Sequence, residues 1–470
     1  MKTGPASSRP TSSIIGLAVP IWIGQLAAIA NPVVDTAMVS RYSVTDLGAL
    51  AVAASVYISV YVALNGVMQS LAPTFGQLFG AGKFPEMGKE AKQGVWLAIF
   101  LSIIGSLLLS FPQPLFSIAK ASPEMTEKAT LYLRILAFSL PASLNFLVYN
   151  TLNNAMARPK MVMAIQVTGL LLKIPLNTLF IFGGWGIPAF GGPGCAIATF
   201  IIVWLELLIG WLILRYNPFY RILHLFGTGF AWPNWKSLKE LLSLGIPVGL
   251  NYFIEVTSFT FMALFIARIG VNAVAGHQIV ANFSGVLYML PLSLASATST
   301  LVAQSIGGRR LEIARKISFA GIRLSAILAI IVACAVWLGK DWIISLYTSN
   351  ETVAANAAPL FLFLCSLLFF DAIQVTASYV LRAYKVVLAP TLLYVMTLWC
   401  IGLGCGYMFA FNFFPDYIPP RITGSSGFWF SNCVSLVILS VGMIIIMRKT
   451  EKKAEVQFQA SLQKQDTAVK

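Results

Sequence analysis

The charged residues of this chain fall in clusters, and the intervals between clusters are long and uncharged. No Asp, Glu, Lys or Arg occurs between Arg9 and Asp35, Asp46 and Lys83, Lys92 and Lys120, or Arg134 and Arg158. The same holds from Arg268 to Arg309, Lys385 to Asp416 and Arg421 to Arg448. Each interval is long enough for the roughly 20 apolar residues that a membrane-spanning helix needs. Adding the apolar segments interrupted by one charge gives twelve spans, centred near Gln25, Val62, Ile103, Asn145, Leu172, Leu205, Ile254, Leu287, Leu328, Leu367, Leu398 and Val437. With 58% hydrophobic and only 10% charged residues, against about 25% charged in a soluble domain, the expected fold is an all-α membrane protein.

The net charge of +15 raises the question of nucleic acid, and its distribution answers it. Loops assigned alternately to two sides place 23 Lys and Arg on the N-terminal side, from Lys2 and Arg9 through Lys236, Lys239, Arg309, Arg310, Arg382 and Lys385 to the tail ending at Lys470. Six fall on the other side: Arg41, Lys120, Lys128, Arg268, Lys340 and Arg421. Positive residues favour the cytoplasmic face, so the bias predicts cytoplasmic termini and an even number of spans. The first apolar stretch, Ser12 to Val34, is too long for a signal-peptide core and reads as a retained helix. The six cysteines lie mostly within spans and show no CxxC spacing, which favours packing over a metal site or disulfide framework.

The chain also repeats itself. A shift of 227 positions superimposes Leu17-Ala18-Val19-Pro20 on Leu244-Gly245-Ile246-Pro247 and, without a gap, pairs Ala54 with Ala281, Gln77 with Gln304, Gly80 with Gly307 and Gly94 with Gly321. The offset holds six spans, an even number, so both copies share one orientation. This predicts two pseudo-symmetric six-helix lobes, residues 1–227 and 228–470, related by an axis along the membrane normal, a design used by transporters with a site between halves. The basic stretch Arg215 to Lys239 links them. The nearest Walker-like run, Gly76 to Phe84, has the wrong glycine spacing and lacks the Ser or Thr after its lysine, leaving ion gradients as the energy source.

Polar residues at bilayer depth mark ion and substrate paths. In span one, Asn31 and Asp35 are one turn apart beside Pro32, which removes a helical hydrogen bond. In span five, Gln166, Lys173 and Asn177 share a face; in span seven, Asn251, Glu255 and Ser258 do. Span eight offers Gln278, Asn282 and Tyr288, and span ten Asp371, Gln374 and Ser378. Glu206 and Arg323 read as snorkelling or paired residues, Arg134 as interfacial, and His277 as a polar residue near a helix end rather than a proton relay.

These segments resemble the MATE (multidrug and toxic compound extrusion) antiporters, NorM-type branch. The matching runs are Pro32-Val33-Val34-Asp35-Thr36, Ile174-Pro175-Leu176-Asn177, Phe253-Ile254-Glu255-Val256-Thr257, Ala275-Gly276-His277-Gln278 with Asn282-Phe283-Ser284, Asp371-Ala372-Ile373-Gln374-Val375, and Leu381-Arg382-Ala383-Tyr384-Lys385 after span ten. The resemblance implies lobes facing a central cleft, rocker-type alternating access and efflux of organic cations in antiport with Na⁺, H⁺ or both. It assigns Glu255 and Asp371 to a C-lobe cation site that binds Na⁺ in sodium-coupled members, with Gln278 and Tyr288 near it. It assigns Asp35 and Asn177 to an N-lobe polar site. Lys173 departs from the pattern by replacing an asparagine, and an ammonium there repels a metal cation.

A carboxylate withdrawn from water needs a metal ion, a proton or a cationic substrate as counter-charge, and competition for it is what antiport requires. Aromatic residues, 12% of the chain, suit flat cationic ligands. The expected partners are the bilayer and cationic amphipathic small molecules, with no nucleic acid and no cofactor beyond the coupling ion. The chain is expected to be monomeric, in a bacterial inner membrane. The rival readings are a flippase of lipid-linked saccharides from the same superfamily, which calls for cleft cations rather than three acids, a channel, and a membrane enzyme, for which two histidines supply no constellation.

Overall fold

The computed structural model describes residues 10–113, 123–227, 229, 231–413, 419 and 422–469. Lys2, Arg9, Lys120, Arg421 and Lys470 of the charge count lie outside the described residues. Among the described residues, twelve helices are long and apolar enough to span a membrane. They are α1 (Pro10–Val39), α2 (Val44–Gly80), α3 (Phe84–Ser110), α4 (Glu124–Ala155), α5 (Pro159–Phe182) and α6 (Gly192–Tyr216), then α7 (Trp235–Ala267), α8 (Val271–Gly307), α9 (Leu311–Tyr347), α10 (Glu351–Ala383), α11 (Leu388–Ala410) and α12 (Ser425–Ala460). Among the described residues there is no strand beyond one bridge, Gly184 to Ile187, in the α5–α6 turn. A helix satisfies every backbone group within itself, which is what hydrocarbon demands.

The 227-residue period is visible in the helix limits. Val44–Gly80 maps onto Val271–Gly307, and Phe84 onto Leu311. In the loops between, Gly82 and Arg309 occupy equivalent positions and both are left-handed, at φ 72° and 55°. A core contact repeats too: Gly94 lies against Leu71, where a Cβ would be tight at 3.1 Å, and the equivalent Gly321 lies against Thr298, where a Cβ would come within 2.4 Å.

Close contacts divide the chain into two compact units, Val19–Gly249 (here the N-lobe) and Met1–Ala18 with Leu250–Lys470 (the C-lobe). In the N-lobe, α4 is central and packs on α2, α3 and α6; in the C-lobe its repeat equivalent α10 packs on α8, α9 and α12. The linker holds to the N-lobe. Gln93 on α3 donates to the Trp232 carbonyl at 3.1 Å and accepts from the Asn234 amide at 2.7 Å, and the Trp96 indole donates to the Ala231 carbonyl at 2.8 Å. These bonds seat the start of α7 on the N-lobe, which explains why the division falls within that helix. At the opposite ends of the N-lobe helices, buried Asp46 accepts from the Gly192 amide at 2.6 Å and pairs with Lys128 at 2.5 Å, tying α2, α4 and α6 together. Lys128, counted above as a loop charge, is therefore a paired helical residue.

Helix α11 is irregular. After Tyr394 it widens into π turns over Val395–Cys405 before an α turn resumes at Gly406. Such turns are rare and shift the side chains that follow.

Candidate functional site

Among the described residues, each lobe carries a cluster of polar and charged side chains within its apolar spans. In the N-lobe, Asp35 on α1 and Lys173 and Asn177 on α5 are all buried. Asn177 Nδ2 donates to Asp35 Oδ1 at 2.7 Å, and Lys173 Nζ lies 3.1 Å from the same oxygen. The ammonium also donates to the Thr199 hydroxyl on α6 and, at 3.5 Å, to the Cys195 carbonyl. A buried ammonium is tolerable only when paired and bonded in this way. The amide oxygen of Asn177 is buried without a hydrogen-bond partner among the described residues. Asn31 does not join the cluster, since its amide bonds back to the Ala27 carbonyl at 3.1 Å.

In the C-lobe, α7 supplies Glu255, α8 supplies Tyr288 and α10 supplies Asp371. Asp371 is buried, Glu255 and Tyr288 are half-buried, and the Tyr288 hydroxyl bonds to Glu255 with Asp371 and Arg382 in electrostatic reach. Two like charges within electrostatic reach of each other, away from water, favour a shared cation or proton. Asp371 Oδ1 accepts from Gln374 Nε2 at 2.8 Å, and Gln374 Oε1 accepts from the Tyr394 hydroxyl at 2.6 Å. Tyr394 sits where α11 widens, so the π segment adjoins the residue that orients the Asp371 partner.

A family model described as MatE matches residues 20–179 and 247–408. The chain belongs to the MatE family. The two matched blocks begin 227 residues apart, the period of the repeat. Among relatives, the chain is 37% identical to the "Probable multidrug resistance protein NorM" of Aromatoleum aromaticum, over 90% of each chain. It is 34% identical to the multidrug resistance protein MdtK of Photorhabdus laumondii, over 95% of this chain and 97% of that one. Solved structures share the fold at lower identity. The MATE transporter VcmN of Vibrio cholerae in its bent form superimposes with TM-score 0.84 at 16% identity, covering 96% of this chain and 99% of that one. An outward-facing multidrug resistance MATE transporter gives 0.85 at 18% identity, covering 97% and 100%.

Within this MatE chain the structure corrects one sequence reading. Arg382 was counted as a cytoplasmic loop charge, but it lies in the last turn of α10 and is 8% exposed. Its guanidinium covers the Tyr379 ring at 4.4 Å and the Tyr252 ring at 5.3 Å, and Nη1 lies 3.4 Å from the Tyr252 hydroxyl. It is thus a resident cation beside the acids, and one Arg at a span end carries no sequence signal of burial. Gln278 lies on the same helix as Tyr288, α8. It is exposed and donates to Asn282 at 2.9 Å, with no hydrogen bond to either acid among the described residues. Ten residues separate it from Tyr288, about 15 Å along the helix. His277 is buried, and its Nδ1 accepts from the Trp429 indole at 3.1 Å in an edge-to-face pair.

Proposed function

We infer that this MatE chain is a secondary active multidrug efflux transporter that exports organic cations in antiport with Na⁺ or H⁺. The observation that carries this reading is a pair of acids within the spans, Glu255 and Asp371, in electrostatic reach of each other, with Tyr288 on one of them. Such a pair binds a cation or a proton, and releases it when a cationic substrate competes for the same charge. Relatives named for multidrug resistance, matched over 90% of their length or more, support the same activity. In this reading Glu255 and Asp371 hold Na⁺ or the proton, Tyr288 orients Glu255, and Asp35 with Asn177 forms the N-lobe coupling site beside Lys173. The chain works as a monomer in the inner membrane with both termini cytoplasmic, which the basic bias supports. It acts as a transporter rather than an enzyme.

The test is efflux of a fluorescent cationic dye from proteoliposomes under Na⁺ and proton gradients imposed separately. Dye movement against its own gradient under at least one of them is expected. Downhill leakage that ignores both gradients would overturn the reading in favour of a channel.

A further inference from the structure

The N-lobe holds a second acid at bilayer depth that the Asp35 cluster leaves aside. Glu206 lies on α6, seven residues after Thr199, so the two share a face toward α5. Gly169, one turn before Lys173 on α5, makes room for it: a Cβ at Gly169 would come within 2.5 Å of the Glu206 Oε1. Among the described residues Glu206 makes no salt bridge or hydrogen bond, and Lys173 is the charged group in its electrostatic reach.

Geometry brings these two residues toward each other. Helices α5 and α6 run antiparallel, with Lys173 level with Cys195 and Thr199, and Gly169 level with Ile202 and Glu206. Helical side chains lean toward their own N-terminus. Lys173 therefore leans toward Gly169, and Glu206 toward Thr199. One turn, about 5.4 Å, separates the two levels, within the swing of a flexible four-carbon stem.

We propose that Lys173 exchanges between Asp35 and Glu206, and that one proton occupies whichever acid the ammonium has left. In the arrangement seen here, Lys173 is on Asp35 and the proton is on Glu206. In the alternate arrangement Lys173 pairs with ionised Glu206, and Asp35 carries the proton, with the unpartnered Asn177 oxygen as the acceptor for its O–H. One proton leaves Glu206 and one binds Asp35 as the ammonium moves the other way, so the charge of these three residues stays at zero. Releasing the proton without replacement leaves one negative charge, which is the vacancy an entering cation fills. The other titratable groups nearby are Tyr61 on α2, in electrostatic reach of Glu206, and Tyr132 and Cys195, in reach of Asp35, with Tyr57 next to Tyr132. All are neutral at physiological pH by their ordinary values, so the two acids and Lys173 hold the charge.

The idea rests on ion-coupled transport, but its test does not require transport. Infrared spectra of the purified protein in liposomes read protonated carboxyl groups directly. Glu206→Gln should remove one protonated-carboxyl component from the wild-type spectrum. Asp35→Asn should remove the same component, because Lys173 then moves to Glu206 and ionises it. Thr199→Val keeps both acids, loosens Lys173 on the Asp35 side and should weaken the component. Persistence of the component in Glu206→Gln shows that the proton is elsewhere, and its persistence in both Asp35→Asn and Thr199→Val shows that Lys173 does not exchange; either result overturns the proposal. If the wild-type protein moves no dye under any gradient, the transporter reading fails while the infrared outcome still decides the exchange.

Discussion

The guanidinium of Arg382 lies 4.4 Å above the ring of Tyr379, one turn back on α10, whose hydroxyl is 2.7 Å from that of Tyr252 on α7. The tyrosine pair gives a buried cation two faces and a hydroxyl acceptor, so it is held by more than its charge. Against Glu255 and Asp371, Arg382 leaves the C-lobe cluster one net negative charge, which one monovalent cation balances.

The first expectation follows from that balance. Arg382→Gln should bind the coupling cation more tightly and turn over more slowly, because the two acids lose their resident counter-charge. Efflux measured across a series of Na⁺ concentrations and pH values should show a lower maximal rate and saturation at lower ion activity. Arg382→Lys keeps the charge but loses the planar face, worth roughly 0.5–2 kcal/mol, and should fall between. An unchanged ion dependence in Arg382→Gln would remove Arg382 from the cluster's charge balance.

Glu255→Gln and Asp371→Asn should each abolish or severely reduce efflux while the protein inserts and folds. Either change removes one of the two charges that make a shared cation or proton necessary. The readouts are dye efflux and the melting profile of the purified variants. Wild-type transport by either variant at saturating gradient takes that acid out of the mechanism.

Tyr394→Phe addresses how Asp371 is held. The Tyr394 hydroxyl bonds to Gln374, which bonds to Asp371, and its loss leaves a buried acceptor unpaired. The expected cost is about 1–3 kcal/mol of stability, seen as a lower thermal midpoint in detergent. Efflux should be reduced but not lost, since both acids remain. A variant as stable as the wild type would show that water or another donor replaces the hydroxyl.

Topology can be checked from single cysteines. With cytoplasmic termini, Lys236→Cys in α7, beside the linker, should label only from inside, and Lys340→Cys near the end of α9 only from outside. Impermeant thiol reagents on intact cells and on inverted vesicles read this in a background lacking the six native cysteines. The opposite pattern at either position overturns the orientation that the basic bias predicts.

What the sequence made legible was what hydrocarbon enforces along one helix at a time. The uncharged intervals are set by bilayer thickness, so all twelve spans could be read. Pro, Gly and Gln held the 227-residue register, and Asp35, Lys173 and Asn177 meet because each is costly to bury alone. Arg382 was misread because a charge at a span end looks the same whether it faces water or turns inward onto Tyr379. Glu206 gained meaning only through Gly169 on another helix, and the Gln374–Tyr394 bond joins helices whose π-turn geometry has no local signature.

The final expectation separates a static ion pair from an exchanging one. Lys173→Asn leaves ionised Asp35 buried without its counter-charge, and Asp35→Asn leaves Lys173 with Glu206 as its charged partner. Removing one member of a buried pair costs roughly 3–5 kcal/mol, so Lys173→Asn should be strongly destabilised. Asp35→Asn should be hurt less, because Lys173 has a second acid within a turn. Combining Asp35→Asn with Lys173→Asn removes both charges and should restore most of the stability lost in Lys173→Asn. If the pair merely neutralises a buried charge, the double variant should regain proton-driven efflux as well. If Lys173 exchanges between two acids, the double variant is stable but cannot couple, since neither the moving cation nor one of its two stations remains. The second outcome is expected. Thermal melts and proton-driven dye efflux on all three variants decide it, and a fully active double variant would sink the exchange.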